Sequence, residues 1–140
     1  MVDKISEARR SWNMSRIKAA DTVPELKVRS SLHRLGFRFR KNVKNLPGKP
    51  DVVLHKHKAV IFVHGCFGHQ HKGCKDASIP KTRTEFWEEK LVKNVERDKR
   101  QNELLIESGW KVLTIWECET KKPATLSTVI QKRVIPNLKG

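Results

Sequence analysis

Between Ile61 and Lys75 the chain runs IFVHGCFGHQHKGCK, placing three histidines and two of its three cysteines directly after an apolar stretch. Cys66, His71 and Cys74 are spaced Cys-x4-His-x2-Cys, which brings two thiolates and an imidazole into one tight loop, and Cys118 is available as a fourth ligand. That donor set reads as a closed structural zinc site, with His69 competing with His71 for the nitrogen position. Further upstream, Leu46-Pro47-Gly48-Lys49-Pro50-Asp51 sets an acid at the start of another apolar run. An acid that meets histidines outside the zinc set suggests hydrolysis.

The balance of charge says what such a site would act on. The sequence carries 30 Lys and Arg against 15 Asp and Glu, a formal net charge of +15, and its pI is near 10.1. A polyanion is the expected partner. A soluble or ribosome-associated basic protein has the same footprint, because charge carries no information about sequence or reaction. The length fits one domain, able to bury about two-thirds of the surface exposed on unfolding, so stability need not come only from a metal. An odd number of cysteines argues against a disulfide framework, and no stretch is long or apolar enough for a signal peptide or membrane helix. The expectation is a cytosolic protein with reduced thiols.

The elements that position these residues alternate between helical and strand-like patterning, which implies an α/β domain. Thr22-Val23-Pro24-Glu25 opens a helix in which Thr22 and Glu25 have the spacing of a capping box, and Val28, Leu32 and Leu35 mark its apolar face up to Gly36. A short strand begins over Phe37 to Arg40. Asp51 to His55 and Ala59 to His64 read as a hairpin whose ends bring Asp51 and His64 together. A long helix runs from a cap at Thr84 to Glu107 and stops at Gly109, with Trp87, Leu91, Val95 and Leu105 as its apolar stripe and Asp98 on the same face. A buried strand follows at Val112 to Glu117. If it lies beside Ala59 to His64, Cys118 and Cys66 leave the sheet at the same edge. A last helix near Ala124 to Arg133 packs Leu126, Val129 and Ile130.

Several runs in one order resemble the very short patch repair endonucleases, the Vsr family: Ser11-Trp12-Asn13-Met14-Ser15, Asp21-Thr22-Val23-Pro24-Glu25, Leu46 to Asp51, Ile61 to Phe67, and Trp116-Glu117-Cys118. The likeness covers roughly residues 9 to 120. It implies a restriction-endonuclease-like fold of the PD-(D/E)XK type, with a mixed central sheet flanked by helices, that nicks one strand of DNA beside a T:G mismatch. It implies two spans, an arm over residues 1–20 that contacts DNA and a single endonuclease domain over 21–140. Bacterial cytoplasm with nucleoid association, a monomeric state and mismatch-repair accessory proteins as further partners go with it.

Within that resemblance, phosphodiester hydrolysis requires a divalent cation, an activated water and stabilisation of the leaving oxygen. Asp51 is the expected magnesium ligand. Related nucleases often carry a second acid and a lysine on the next strand, whereas Val63-His64-Gly65 has no carboxylate, so the backbone carbonyl of Val63 is the expected substitute. The family usually has threonine at Val63, a change to which a carbonyl ligand is indifferent. His69 is the expected base, with Asp98 holding its second nitrogen. His64 corresponds to a histidine at the phosphate or at metal-bound water, and Glu25 to a glutamate near metal-bound waters. The family correspondence gives the zinc to His71 and leaves His69 free. His33, His55 and His57 carry no second signal.

Mismatch recognition in the family resembles wedge insertion into the base stack. Phe67 and Trp87 occupy two wedge positions, Met14 resembles a minor-groove probe, and Lys90 and Asn94 resemble base-contacting residues. The family's tryptophan after Phe67 is Gly68 here. Two other readings accompany this one: a zinc-stabilised nucleic-acid-binding module without catalysis, and a restriction-type nuclease acting on paired duplex.

Overall fold

A computed structural model describes residues 22–138 of the chain. The expected arm over residues 1–20, and Met14 within it, lie outside the described residues.

Helix α1, Val23–Arg34, begins with Thr22 in an extended conformation and a proline in the first turn. The Thr22 side chain makes no capping hydrogen bond, so the expected capping box is not formed. Glu25 instead belongs to the inward stripe Glu25, Val28, Arg29 and Leu32, all buried. The helix stops in a Schellman turn: Gly36, at φ +86°, donates to the His33 carbonyl at 2.9 Å, and Phe37 to that of Leu32 at 3.1 Å. Helix α2, Thr84–Glu107, ends in the same way at Gly109, with Trp110 donating to Leu105 at 3.0 Å. At its start Thr84 is the first helical residue rather than the cap. Its hydroxyl turns back to the carbonyls of Pro80 and Lys81 at 3.1 and 2.9 Å.

Four strands form one sheet in the order β1-β2-β3-β4. β1 is Arg40–Lys41, β2 Val52–Leu54, β3 Ala59–His64 and β4 Lys111–Trp116. The first strand is shorter and later than its sequence suggests, because Phe37 and Phe39 are drawn onto the core instead of into the ladder. β1, β2 and β3 run antiparallel, with Val53 opposite Val60. The expected hairpin turns through one 3-10 turn at His55–His57 and Lys58 at φ +49°. β4 lies parallel to β3, pairing Ala59 with Lys111 and His64 with Trp116. A parallel neighbour needs a crossover, and α2 lies within it.

Both faces of this sheet are covered, which is why its strands read as continuous apolar runs. On one face Val52, Leu54, Ala59, Ile61, Leu113 and Ile115 meet Val28 and Leu32 of α1 and the C-terminal helices. On the other, Val53, Val60 and Phe62 meet Leu105 of α2. Along α2 only part of the expected stripe is buried. Leu91 and Leu105 are covered, but Val95 is 42% exposed where the helix borders open clefts. After β4 the chain forms α3 (Glu117–Thr120), α4 (Pro123–Val129), a π-helical turn (Ile130–Val134) and α5 (Ile135–Leu138). The single helix expected over Ala124 to Arg133 is thus interrupted by a π-turn, while Leu126, Val129 and Ile130 pack inward as expected. No helix among the described residues is long and apolar enough to cross a membrane.

A side chain added at Gly36 would meet nothing within 4 Å, so only the left-handed backbone opposes it. Gly36→Ala should lower stability by about 1 kcal/mol, read as a shift of the urea midpoint with unchanged slope. An unshifted midpoint would mean that this turn does not constrain the end of α1.

Candidate active site

A cleft of about 680 Å³ opens between α1, the Leu46 to Asp51 turn, the end of β3 and the middle of α2. Glu25, Asp51, His64, His69, Arg97 and Asp98 line it. The hairpin register delivers Asp51 to the end of β2 beside the last residues of β3.

Asp51 replaces a rung of the sheet: its Oδ2 accepts from the Val63 backbone N–H at 2.6 Å. The N–H and C=O of a strand residue point to the same side, so the Val63 carbonyl faces the side where Asp51 lies. Burial raises the Asp51 pKa to about 7 against the pull of the Val63 N–H, and the neighbouring carboxyl of Glu25 adds to the rise. The positive charge of Arg29 opposes it. Two buried carboxyls side by side, with a carbonyl turned toward them, form an oxygen donor set that suits a hard cation.

On the opposite wall, Asp98 Oδ2 lies 2.5 Å from His69 Nδ1. This fixes Nδ1 as the protonated nitrogen and leaves the Nε2 lone pair outward. His64, from the last position of β3, is buried and stacks on His69 with centroids 3.8 Å apart and an interplanar angle of 5°. Phe62 and Trp116 close around it. Burial, reinforced by His69, lowers the His64 pKa to about 4, so it is neutral at ordinary pH. Donor atoms of His64, His69 and Asp98 lie within 4.8 Å of one another. However, imidazole binds metal in its ring plane, and lone pairs of two nearly parallel stacked rings do not converge on one ion. The stack suits proton chemistry better than ligation.

The Cys/His cluster lies at the sheet edge where β3 and β4 end. Donor atoms of Cys66, His71, Cys74 and Cys118 lie within 4.8 Å of one another. His71 Nδ1 is 3.7 Å from Cys66 Sγ and 3.5 Å from Cys118 Sγ. A tetrahedral ion with the bond lengths of zinc requires S···N separations of roughly 3.6 Å, so the donors already stand at ligation spacing. His71 stacks on Trp116 at 4.2 Å. Of the two histidines, His71 stands among the cysteines, while His69 turns toward Asp98. Burial and neighbouring thiols raise the Cys66 pKa and push that of Cys118 up to about 12. Metal binding must therefore release protons here.

The residues expected at DNA form a separate surface. Phe67 and Trp87 are half-buried, belong to neither core cluster, and meet edge-on at 5.3 Å. Lys90 Nζ lies 5.6 Å from the Trp87 ring centroid. The Asn94 amide donates to the Gly68 carbonyl at 3.0 Å, tying the histidine loop to α2. Three participants escaped the sequence reading. Arg29 was signalled by its place one turn after Glu25 on the Val28–Leu32 stripe. Phe86, 45% exposed and packed on Trp87 at 5.3 Å, was hidden as one aromatic beside another. Arg97 carried no signal beyond being one of many cations.

An α/β domain whose cleft joins an acid pair to a carboxylate-held histidine, beside a Cys/His cluster with the spacing of a metal site, has the make-up of a hydrolase. The family model for DNA mismatch endonuclease Vsr matches residues 2–76, more than half of the chain, and the chain belongs to that family. It is 48% identical over 118 residues to the DNA mismatch endonuclease Vsr of Escherichia coli (strain K12), covering 84% of this chain and 75% of that protein. It is 47% identical over 124 residues to the type II nicking enzyme V.NmeAIP of Neisseria meningitidis serogroup A, covering 89% and 88%. It is 39% identical over 137 residues to the type II nicking enzyme V.XorIIP of Xanthomonas oryzae pv. oryzae, covering 98% and 100%.

With a folded pKa raised from 3.8 to about 7, Asp51 keeps its proton in the folded state after the unfolded chain has lost it. Its contribution to stability is full below about pH 4 and is lost as pH rises through 7. In magnesium-free buffer Asp51→Asn should raise the melting temperature above pH 7, with the gain vanishing near pH 4. A loss at pH 8 would contradict the strain assigned to the acid pair. For the cluster, metal analysis should find one tightly held ion per chain, and Cys118→Ser should lose it together with thermal stability. An ion-free natural chain of undiminished stability would remove the cluster's function.

Proposed function

We propose that the chain is a mismatch-directed DNA endonuclease that nicks one strand by metal-dependent phosphodiester hydrolysis, with thymine opposite guanine as its principal target. The observation that carries this reading is the convergence, in one cleft, of the Asp51–Glu25 acid pair and the Asp98-held His69. Membership of the family, the nicking relatives and a net charge of +15 support DNA as the substrate. The mixed sheet with helices on both faces and Asp51 at the mouth of a hairpin supports a PD-(D/E)XK-type fold.

In the proposed reaction Asp51 and the Val63 carbonyl would hold magnesium, with Glu25 completing the acidic wall. Bound there, the cation would supply Lewis-acid charge at the phosphate. His69 takes a proton from water at Nε2 while Asp98 stabilises the resulting imidazolium through Nδ1. The water oxygen bonds to phosphorus, the bond to the leaving oxygen breaks, and that oxygen takes up a proton from solvent water, to which His69 then returns the one it took. His64, held neutral, is placed to donate a hydrogen bond to a phosphate oxygen. Cys66, His71, Cys74 and Cys118 would hold zinc, and so brace the loop that carries His69.

For recognition, Phe67 and Trp87 enter the stack beside the mismatch, and Lys90 and Asn94 lie toward the bases. Met14 and the arm over residues 1–20 complete the DNA contacts. The endonuclease domain, residues 21–140, acts as a monomer at the nucleoid in the cytoplasm, where mismatch-repair accessory proteins would follow the nick.

A single-turnover nicking assay with Mg²⁺ across all mismatches in one sequence context tests this. The natural chain should nick thymine opposite guanine fastest, and Asp51→Asn should lose nicking by several orders of magnitude while still binding the duplex. Equal cleavage of fully paired DNA would favour a restriction-type nuclease, and binding without cleavage a recognition module. A side chain at Gly68 would enter open space, so Gly68→Trp should fold and add a stacking surface worth ~1–3 kcal/mol. The natural chain should therefore nick other weakly paired mismatches too, and the tryptophan should narrow that range. Strict selectivity in both proteins would show that the wedge does not set specificity.

A further inference from the structure

The acids and histidines of the cleft leave one electrostatic need unmet. As charge builds on the phosphoryl oxygens, a fixed cation beside the attacking water stabilises it. The end of β3 is Val63-His64-Gly65, without a lysine. His64 is neutral, and His69 must be neutral to act as a base. Among the described residues, three permanent cations line the cleft: Lys44, Lys49 and Arg97. The two lysines belong to the loop that leads into Asp51, whereas Arg97 stands on α2 beside the histidines. Its charge is one of the influences that oppose protonation of His64.

The partner of Arg97 within the chain leaves its donors available. Its guanidinium lies 3.9 Å from Asp98 Oδ1, too far for a hydrogen bond, and its side chain is 50% exposed. The other carboxylate oxygen of Asp98 is engaged by His69. So long and exposed a pair contributes little, and a guanidinium keeps its planar fork of N–H donors for an anion. A phosphate oxygen fits that fork at two points. The scissile phosphate must come within reach of both His69 and the acid pair, which brings its oxygens to the wall where Arg97 stands.

We propose that Arg97 binds a non-bridging oxygen of the scissile phosphate, or of the phosphate next to it. This assignment rests on the endonuclease reading. It makes Arg97 a substrate-contacting cation on α2, one residue before the carboxylate that orients the base.

The test is a scan of single neutral methylphosphonates along a mismatched duplex, with affinity measured without Mg²⁺ for the natural chain, Arg97→Gln and Arg97→Lys. The natural chain should lose affinity about tenfold at the contacted phosphate. Arg97→Gln should bind the unmodified duplex about tenfold more weakly, show no further penalty at that one phosphate, and lower the salt-dependence slope by about one. Arg97→Lys should recover the slope but only part of the single-turnover nicking rate, having lost the two-point fork. The pH dependence of nicking should be the same for the natural chain and Arg97→Lys, which both keep the charge beside His64. An Arg97→Gln variant penalised like the natural chain at every phosphate overturns the contact. So does a penalty that vanishes only far from the nick, or an Arg97→Gln variant that nicks more slowly with undiminished affinity, which would make Arg97 a prop for Asp98 instead. If the phosphate penalty vanishes as expected but the natural chain nicks no mismatch, the contact stands and the endonuclease reading falls.

Discussion

The parallel pairing of β3 with β4 is the constraint on which the rest of the structure depends. In-register pairing from Ala59–Lys111 to His64–Trp116 makes both strands end at the same level. Cys66 and Cys118 then follow their strands by two residues each and meet, although 52 positions separate them in sequence. The same pairing puts Trp116 beneath His71 and against His64, so one indole braces the metal cluster and the cleft together. Behind it, Glu119 accepts from the Trp116 N–H at 2.9 Å and grips Arg133 at 2.7 Å. The C-terminal helices are thereby tied to the strand end that presents Cys118.

Burial then sets the protonation states that chemistry requires. Burial and the neighbouring carboxyl of Glu25 hold the Asp51 proton well above the usual carboxylate range, and the charge of Arg29 only partly offsets them. Burying a charge is unfavourable unless it is paired, so in the proposed reaction a bound cation would complete this wall. The neutral His64 has the opposite logic. Protonating it would place a cation in a buried stack against His69, with Arg97 nearby. Two groups in one cleft are thus shifted toward their uncharged forms, one awaiting a cation and the other preserved as a neutral donor.

Much of this arrangement was legible because it rests on short-range signals. The hairpin could be read from two apolar runs around a polar turn, and it alone brings Asp51 to the end of β3. The Cys/His spacing and a strand ending before Cys118 put possible metal ligands within reach of one another, whereas the choice of His71 over His69 and the pairing of Asp98 with His69 came with the family resemblance. What escaped depends on which of two compatible partners a side chain chooses. Thr22 and Glu25 have capping-box spacing, but the pull of the cleft and of the buried stripe turns Glu25 inward. Arg29 looks like any helix arginine until α1 is docked on the sheet. Asn94 resembles a base-contacting residue, yet its amide is drawn to a carbonyl of the histidine loop. The π-turn in the last helix has no evident sequence cause.

That amide links recognition to chemistry in a way neither surface reveals alone. Phe67, Gly68 and His69 are consecutive, so a proposed wedge residue displaced by the base stack would pull directly on the loop that carries the proposed base. Two anchors oppose free motion. Cys66 and His71 bracket the segment within one metal cluster, and Asn94 holds the Gly68 carbonyl to α2. Since Trp87, Asn94 and Asp98 also lie on α2, the wedge, the loop anchor and the carboxylate that orients His69 share one rigid helix. Rotation of that helix on binding DNA would move all three together, whereas a loop held only by the chain would let Phe67 adapt while His69 drifted. A mismatch that accepts both aromatics can therefore leave His69 aligned. One that accepts only Phe67 would strain the loop against α2, so that discrimination is felt in the rate of proton transfer as well as in affinity.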